Sequence, residues 1–410
     1  MEYVVYEQWG TRPLLPFTYC RPVFDLRSGI YTPLERAAAL FHRPPECIFV
    51  RPEHADVMRE RTSHPVNETF DGAVLFLDGS LQLTRALAEQ LRSNVHRSTV
   101  YTVEGDPVAV FTNDEDTRNE VQQSILHDGA LTYPANIETI PLEAEVIRYP
   151  WDLVINNEAM IRADARLFEL GSWTGISGVE YVHPQNIYID GAARLGKNIV
   201  LDASEGPIVI DEHASVMHNS VVIGPAYVGK NSRLKVGTKL YENTSIGPVC
   251  KVGGEVEGSI LHSYANKQHE GFLGHSYLAP WTNLGADTNT SDLKNNYSEI
   301  SVIVEGKKHE TRTMFLGLML GDHSKSGINT MFNTGTCIGV GCNIYGGGFP
   351  PKYVPSFSWG GSDELVEYDI ERFLVTARTV YNRRNLALTE AEERLLRDVF
   401  QKTSSQRTYE

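Results

Sequence analysis

The sequence predicts an N-terminal α/β domain, followed by a parallel β-helix and by helices at the C-terminus. Three patterns favour this fold class: short apolar runs alternating with helical spacing, a six-residue repeat, and helix-capping motifs near the end. We place the domains at residues 1–150 for the α/β domain, 151–180 for a linker helix, 181–360 for the β-helix and 361–410 for the C-terminal helices.

The N-terminal domain combines candidate buried strands with helical segments. The strand candidates are short β-branched or aromatic runs: Tyr3–Tyr6, Cys47–Val50, Ala73–Leu77 and Val108–Phe111. Between them, Thr32–Phe41 and Leu83–Leu91 have helical spacing, so we expect a partly parallel sheet with helices packed on it. Spaced aliphatic and alanine residues over Leu153–Leu170 predict the linker helix.

A six-residue repeat dominates the next segment. Every sixth residue is aliphatic at Ile210, Val216, Val222, Val228, Leu234, Leu240, Ile246 and Val252. The residue four positions later is small at Ala214, Ser220, Ala226, Ser232, Thr238, Thr244 and Cys250. The same frame recurs at Ile189, Leu195 and Leu201, at Phe272, Leu278 and Leu284, and at Leu320, Phe332, Ile338 and Ile344, with Ser326 as a polar exception. This pattern is typical of hexapeptide repeats, in which the aliphatic residue points into a narrow prism.

The hexapeptide pattern resembles that of a left-handed parallel β-helix, and the resemblance implies assembly as a homotrimer. After the repeat, Ser362 is a candidate cap for a helix over Asp363–Arg384. Thr389 and Glu392 form a capping box that predicts a second helix ending near Lys402.

Composition excludes several classes of partner. The chain has 410 residues, and its 52 acidic against 37 basic side chains give a formal charge of -15. Such an excess repels a phosphate backbone, so we expect no nucleic-acid partner. Five widely spaced cysteines and the absence of a signal-like or membrane-spanning apolar run favour a cytoplasmic protein without a membrane partner.

A loop after the first predicted strand carries glycine, threonine, arginine and proline residues. It runs from Gly10 to Pro22 as GTRPLLPFTYCRP. This loop resembles the signature of sugar-1-phosphate nucleotidyltransferases, whose backbone N–H groups cradle phosphates. The resemblance implies nucleotide-binding roles, with UTP as the candidate nucleotide, for Gly10, Thr11, Arg12, Arg21, Arg27 and Asp78. Asp78 is also the candidate Mg²⁺ ligand. The chain departs from the family at Glu7, Gln8 and Trp9, where glycines are usual, and at Val23, where a lysine is usual.

A second motif interrupts the six-residue frame between Gly254 and His275. With Leu284–Thr288, this segment resembles the acetyltransferase half of the GlmU-like family. The resemblance implies that His269 is the catalytic base and that Glu255 assists it. Histidine suits this step because its pKa allows proton exchange near neutral pH. We expect His275, in the repeat frame, to be structural or to contact residues behind those that touch the substrate.

The same resemblance implies contacts with the two substrates. Phe272, Asn283, Asp292 and Lys267 are the candidate substrate-binding residues, and Lys325, Gly285 and Ala286 are the candidate contacts of acetyl-CoA. Phe272 stands where the family has a tyrosine, Asp292 where it has an asparagine, and Glu257 where it has a phosphate-binding lysine.

These observations favour an acetyl-CoA-dependent N-acetyltransferase acting on an amino-sugar phosphate or a nucleotide amino sugar. Its N-terminal domain would be of the sugar-nucleotidyltransferase type found in UDP-N-acetylglucosamine biosynthesis. Two alternatives stay open. One is a nucleotidyltransferase whose β-helix is only a trimerisation scaffold, and the other is a non-catalytic scaffold that binds sugar nucleotides.

Overall fold

The computed structural model of the chain describes residues 1–10, 14–93, 97–171 and 175–409. They form two compact units. Unit 1 comprises Met1–Leu14, Cys20–Arg27 and Tyr31–Tyr149, and unit 2 comprises Leu15–Tyr19, Ser28–Ile30 and Pro150–Glu410. Of the short segments that unit 2 takes from the N-terminal region, Leu15–Tyr19 lies within the predicted nucleotide loop and Ser28–Ile30 lies shortly after it.

Unit 1 is built on a mixed six-stranded sheet. Its strands, in spatial order, are Cys47–Phe49, Glu2–Tyr6, Val74–Asp78, Asp106–Thr112, Thr99–Val103 and Glu138–Pro141. The first three are parallel, and the strand Asp106–Thr112 is antiparallel to both of its neighbours. The predicted α/β class is confirmed, including all four predicted strands, while the strands Thr99–Val103 and Glu138–Pro141 were not predicted from the sequence.

Four helices accompany this sheet: Pro33–Phe41, Pro52–Arg61, Arg85–Ser93 and Glu115–Asp128. The first begins at a capping box in which the Thr32 side chain accepts from the Glu35 backbone N–H and the Glu35 side chain accepts from the Thr32 N–H. The helices Pro52–Arg61 and Glu115–Asp128 have weak apolar periodicity, and the sequence did not predict them.

Unit 2 is a left-handed parallel β-helix with three faces. Its first sheet contains Val179–Val182, Ile199–Asp202, Val221–Ile223, Lys239–Leu240, Glu255–Glu257 and Phe272–Gly274. Its second sheet contains Ile187–Ile189, Ile208–Ile210, Ala226–Val228, Thr244–Ile246, Ile260–Leu261, Tyr277–Leu278, Leu318–Leu320, Thr336–Ile338 and Tyr353–Val354. Its third sheet contains Arg194–Leu195, Ser215–Val216, Arg233–Leu234, Lys251–Val252 and Asn266–Lys267.

The third face continues beyond Lys267. Single bridges join Asn266 to Asn283 and Asn283 to Lys325. Beyond them lies a four-stranded sheet of Lys325–Ser326, Asn343–Ile344, Ser358–Gly360 and Leu365–Glu367. The first face continues through the paired strands Asn289–Thr290 and Met331–Phe332.

The aliphatic positions of the repeat form one continuous core inside the prism. All eight residues of the unbroken frame, from Ile210 to Val252, are at most 1% exposed. The small residues between them are equally buried, because they stand where the backbone turns the corner. The repeat therefore predicted which side chains point inward, and burial of these apolar side chains is the main favourable contribution to folding.

Two features of the repeat differ from the prediction. The coils continue through residues 254–275, where the sequence frame breaks, because shorter turns change the spacing without ending the strands. Within this region Leu273, which pairs in register with Val256, is the inward residue, and Phe272 points to the other side of its strand. The larger insertion lies between Asn289–Thr290 and Leu318–Leu320, and it contains the hairpin Ser301–Val304 with Lys307–Glu310.

The helices of unit 2 pack along the side of the prism: Asn157 bonds to Asn243 and Ser245, and the Tyr381 ring stacks on Trp281. The predicted linker helix is two short helices, Asp152–Ile155 and Asn157–Ala165. The C-terminal helices are Ile370–Asn382 and Glu390–Lys402. The Thr389 capping box is confirmed, but Ser362 is not a helix cap, because Leu365–Glu367 pairs with Ser358–Gly360 and Asp369 caps the next helix instead. Of the helices described, not one has the length and apolarity needed to span a bilayer.

Candidate functional site

The predicted nucleotide loop of unit 1 is described only in part. Thr11 and Arg12 lie outside the described residues. Gly10 is exposed, and its N–H donates to the Gly129 carbonyl at 3.2 Å. A Cβ at Gly10 would lie 3.0 Å from the Asp128 carbonyl oxygen, so this position favours glycine.

Arg21, in this loop, and Arg27, five residues after its end, are buried and paired with acids. The guanidinium of Arg21 lies 3.3 Å from the Asp25 carboxylate, and that of Arg27 lies 3.1 Å from Glu35. Both arginines are 4% exposed. Because these charges are already neutralised within unit 1, the geometry does not present them to a phosphate.

A third buried pair stands where the family has glycines. Glu7 is 2% exposed and accepts from both Arg51 and the Val23 backbone N–H, at 2.7 Å and 3.1 Å. Burial raises the pKa of the Glu7 carboxyl, and Arg51 opposes that rise. The departure at Glu7 thus has a structural role, since it anchors the backbone of Val23.

Asp78 does not fit a Mg²⁺ site in this geometry. Its side chain is 1% exposed, and it accepts hydrogen bonds from Gln8 Nε2 at 2.7 Å and from the Ser80 N–H at 2.8 Å. A magnesium ion needs oxygen ligands that can reach it together with several waters. Among the residues that the structure describes, no group of three or more His, Cys, Asp or Glu side chains is arranged to hold a metal ion. We therefore derive no step through Mg²⁺.

In unit 2, His269 lies at the corner between the third and first faces. It is exposed and stands in the turn between the strands Asn266–Lys267 and Phe272–Gly274. Glycine permits this corner to pack closely: a Cβ at Gly254 would lie 2.7 Å from the His269 carbonyl oxygen. Glu255, which follows Gly254 directly, is thereby placed one coil from His269.

The corners of successive coils stack on each other and bring further predicted residues to His269. The Asp287 N–H donates to the Glu270 carbonyl at 3.1 Å, which sets the turn containing Gly285 and Ala286 on the turn containing His269. A Cβ at Gly285 would lie 2.4 Å from the Gly327 carbonyl oxygen, so glycine is needed for the next coil to stack.

Glu255 and Phe272 are neighbours on the outer surface of the first sheet. They pair in register on adjacent strands, and Lys239 pairs with Glu255 on the other side. The Phe272 N–H donates to Asn289 Oδ1 at 2.8 Å, which extends the row by one coil. Glu255 and Phe272 are both half-buried. The structure therefore brings His269, Glu255 and Phe272 to adjoining positions on one side of the prism.

Lys267 is not on the surface, which corrects its predicted contact with substrate. It pairs in register with Val252 and occupies an inward, aliphatic position of the prism, where it is 1% exposed. Its ammonium donates to the carbonyls of Gly253 and His269 at 3.0 Å and 2.8 Å. Burial lowers the pKa of Lys267 to about 8. Its amine holds the backbone of the His269 corner from inside and does not face a substrate phosphate.

Asn283 and Lys325 lie side by side on the third face. Asn283 is half-buried. Lys325 Nζ donates to the His323 carbonyl at 2.8 Å, and burial lowers the pKa of Lys325 to about 8. These two residues thus share a face with each other, while Glu255, Phe272 and Asp292 belong to the first face.

The sequence did not predict the pairing of His275 with Asp292. His275 Nδ1 and Asp292 Oδ2 are 2.8 Å apart, and the side chains are 24% and 14% exposed. His275 directly follows the strand Phe272–Gly274, and the sequence interpretation gave it a structural or supporting role without naming a partner. A spacing of 17 residues that crosses from one coil to the next has no local sequence signature.

Comparisons with known proteins find one matching family model and several curated relatives. The family model described as sugar nucleotidyl transferase matches residues 3–172. The chain is 27% identical over 262 residues to the bifunctional protein GlmU of Synechococcus elongatus, covering 58% of this chain and 53% of that protein. It is 30% identical over 149 residues to the bifunctional sugar-1-phosphate nucleotidylyltransferase/acetyltransferase of Sulfurisphaera tokodaii, covering 35% and 36%. These alignments span about half of the relatives' length or less.

The crystal structure of Arabidopsis UDP-N-acetylglucosamine acyltransferase also matches part of the chain. It is 12% identical, with 55% of this chain and 93% of that chain covered and a TM-score of 0.24. A score this low supports no conclusion about activity.

Proposed function

We propose, from the premise that the chain is a GlmU-like protein, that unit 2 transfers an acetyl group from acetyl-CoA to the amine of an amino sugar. The acceptor class is an amino-sugar phosphate or a nucleotide amino sugar. His269 would act as the base and Glu255 would assist it. The observation that carries the proposal is the corner of the prism where an exposed His269, Glu255, Gly285 and Ala286 come together.

The chemistry of acetyl transfer suits this corner. The acceptor ammonium must lose a proton before its nitrogen can attack the thioester carbonyl, and an exposed imidazole exchanges protons near neutral pH. The carbonyl oxygen gains negative charge in the tetrahedral intermediate, and backbone N–H groups at a tight turn are suitable donors for it. Lys267 would keep the His269 backbone in place through its bond to the His269 carbonyl.

Release of free thiol tests the proposal directly. The full chain is incubated with acetyl-CoA and glucosamine-1-phosphate, and then with glucosamine and with UDP-glucosamine. His269→Ala should lower kcat/KM by about 10² to 10⁴, the usual contribution of a general base. His213→Ala is the matched control, because His213 is an exposed histidine in the turn of another coil. No thiol release with any of these amino sugars would contradict the proposal.

The family match to residues 3–172 favours a second role, the binding or synthesis of a nucleotide sugar by unit 1. The chain is incubated with UTP, N-acetylglucosamine-1-phosphate and Mg²⁺, and pyrophosphate is measured. Binding of UDP-N-acetylglucosamine is measured separately by calorimetry. Pyrophosphate release would support nucleotidyl transfer, while binding without release would favour a sugar-nucleotide-binding domain. Light scattering would test the proposed homotrimer.

A further inference from the structure

Several cations lie together on the third face of the prism, next to the strand that leads to His269. Arg233 and Lys251 pair in register on adjacent strands, and Lys251 pairs in turn with Asn266. Arg384, which follows the first C-terminal helix, reaches the same strand: its Nη2 donates to Asn266 Oδ1 at 3.0 Å. Positive charge from two coils and from a helix end therefore meets three residues before His269.

Lys235 joins these cations on the side of the corner. A Cβ at Gly253 would lie 3.3 Å from Lys235 Cβ and 2.5 Å from the Gln268 carbonyl oxygen. Gly253 therefore stands between Lys235 and Gln268 on successive coils, and it places no side chain between them. Because Gln268 directly precedes His269, the half-buried Lys235 lies beside the turn that contains the proposed base.

We call these residues the basic cluster. It has five members: Arg233, Lys235, Lys251, Arg383 and Arg384. In the part of the chain that the structure describes, none of the five forms an ion pair with an acidic side chain. Elsewhere on the prism, by contrast, Lys230 lies 3.5 Å from Glu212, and Lys239 lies 3.5 Å from Glu270. The basic cluster thus keeps its positive charge within a chain of formal charge -15.

The charges of the basic cluster repel one another. Burial lowers the pKa of Lys251, and Arg384, Arg233, Arg383 and Lys235 lower it further. Such repulsion is relieved when an anion binds among the cations. Ammonium groups and the planar guanidinium of arginine are both common donors to phosphate oxygens, so the chemistry of the cluster favours a phosphate group.

The other side of the His269 corner carries the opposite charge. Burial raises the pKa of the Glu257 carboxyl on the first face, and Asp292, Glu242 and Glu255 raise it further, while His275 opposes the rise. This carboxylate-rich surface repels phosphate. Glu257 also stands where the family has a phosphate-binding lysine. The third face is therefore the side of the corner that attracts phosphate.

We propose that the basic cluster binds the phosphate of the acceptor and so makes unit 2 specific for a phosphorylated amino sugar. This inference rests on the proposed acetyl transfer. The acceptor would span the edge of the prism, with its phosphate on the third face and its amine at the corner. From Asn266 to His269 the chain covers roughly 10 Å at about 3.3 Å per residue, and long arginine and lysine side chains reach across part of that distance.

The placement of the basic cluster separates it from the candidate contacts of acetyl-CoA. Gly285 and Lys325 lie on coils that follow His269, whereas Lys251 lies on the coil that precedes it. The two substrates would therefore approach His269 from opposite directions along the prism. Loss of the basic cluster should then change the choice of acceptor without changing the KM for acetyl-CoA.

The preference for a phosphorylated acceptor tests this inference. Thiol release by the full chain is measured with glucosamine-1-phosphate and with glucosamine, and the ratio of the two kcat/KM values is compared between variants. In the double variant Lys251→Met/Arg384→Met, the ratio should fall about tenfold or more, because the phosphate loses two charged donors. The variant Lys251→Arg/Arg384→Lys, which keeps both charges, should retain most of the preference.

The matched control is Arg194→Met. Arg194 is an exposed arginine in the same row of the third face, two coils beyond Arg233, and its replacement should leave the ratio at the wild-type value. An equal loss of kcat/KM with both acceptors in the folded double variant would overturn the inference, because the cluster would then be structural. A raised KM for acetyl-CoA with an unchanged ratio would also overturn it, because the cluster would then bind the phosphates of CoA.

A binding measurement keeps this inference separate from the proposed function. If the wild type releases no thiol with any amino sugar, the proposed acetyl transfer fails, and calorimetric titration decides about the basic cluster. The wild type and Arg194→Met should bind glucosamine-1-phosphate more tightly than glucosamine, and Lys251→Met/Arg384→Met should not. Equal affinities for the two sugars in the wild type would show that the cluster holds no sugar phosphate.

Discussion

Unit 1 and unit 2 differ in what their candidate functional residues contact. In unit 1, Arg21, Arg27 and Asp78 are buried, and each is bonded to other protein groups. In unit 2, His269 is exposed, and Glu255 and His275 keep part of their surface open to solvent. The glycines of unit 2 hold backbones close together, and so they leave side chains at the corners accessible.

The two units therefore differ in how their charged candidate residues are used: in unit 1 these residues form buried pairs, and in unit 2 they stay partly exposed. A buried ion pair stabilises a fold only if its geometry is good, and it makes the charge unavailable to a ligand. Residues 3–172 match a sugar nucleotidyl transferase family model, but Arg21 and Arg27 are paired with acids of unit 1 itself. The core of unit 2 consists mainly of apolar side chains, and titratable residues such as His269 and Glu255 stay accessible at its surface.

The largest effect on folding stability is expected from the buried Glu7–Arg51 pair of unit 1. Arg51→Met would leave the Glu7 carboxylate buried without its ion-pair partner, which typically costs about 3 to 5 kcal/mol. The matched control is Arg59→Met, because Arg59 and its partner Asp56 are both more than half exposed, and such pairs contribute about 1 kcal/mol or less. Urea denaturation of both variants measures the difference. Equal losses would show that the Glu7–Arg51 pair has no special structural role.

The second prediction concerns Lys267, which occupies an inward position of the prism. Lys267 has a pKa of about 8 in the fold, below its ordinary value of 10.5. Between these two pH values the unfolded chain holds the proton and the folded chain has lost it, so folding stability contributed by Lys267 rises with pH. At pH 7 the amine is protonated in both states, and this gain is absent.

The comparison variant is Lys267→Met, which keeps the length of the side chain and cannot titrate. The stability of the wild type relative to Lys267→Met should rise from pH 7 to pH 10.5, by about 3 kcal/mol at most. Lys230→Met, at an exposed lysine, should show no such trend. A flat difference for Lys267→Met across this range would mean that the amine is solvated in the folded protein.

Two glycines allow a test of the packing around His275 with a matched control. Gly258 and Gly237 both have positive φ, at +53° and +74°, but only Gly258 has a side chain against it, whereas Gly237 has nothing within 4 Å. Alanine at either position costs about 1 kcal/mol in backbone strain. Gly258→Ala should cost about 1 kcal/mol more in folding stability, because its methyl group displaces the His275 imidazole. Urea denaturation of both variants measures the difference, and equal losses would show that the effect is one of backbone strain alone.

The fold of unit 2 was predictable because the prism requires burial of one residue in six. Ile210 to Val252 satisfy that requirement without interruption, and all are buried. The frame became unpredictable after Val252, because Val256 and Leu261 follow at spacings of four and five and the turns there are short. Lys267 was misassigned for the same reason: once the frame is lost, a lysine at an aliphatic position looks like a surface residue.

The candidate site was only partly predictable. His269, Glu255 and Phe272 could be named from the chain because they lie within 18 residues of one another on consecutive coils. The pair of His275 and Asp292 could not, because it depends on an insertion that returns to the prism at Leu316. The pairs of Arg21 and Arg27 with acids were not predicted either: Asp25 follows Arg21 by four residues, and Glu35 belongs to the helix Pro33–Phe41. The domain boundaries and the roles of these residues remain predictions.

The smallest effect on folding stability is expected from substitution of Asp78. The same substitution tests whether unit 1 uses Asp78 as a Mg²⁺ ligand. Asp78→Asn preserves the shape of the side chain and can still accept from the Ser80 N–H. The new amide N–H₂ group would face Gln8 Nε2. The Gln8 side chain would then lose one hydrogen bond or flip its amide, which costs about 1 kcal/mol of folding stability.

A structural carboxylate and a catalytic one respond differently to this change. If Asp78 serves only to hold Gln8 and Ser80, Asp78→Asn should leave any pyrophosphate release and nucleotide-sugar binding within about twofold of the wild type. A ligand of Mg²⁺ would instead lose at least a hundredfold in pyrophosphate release while the protein stayed folded, because an amide oxygen carries no charge to balance the ion. That second result would show that unit 1 opens to expose Asp78 during turnover, and the contrast between the two units would then describe only their resting states.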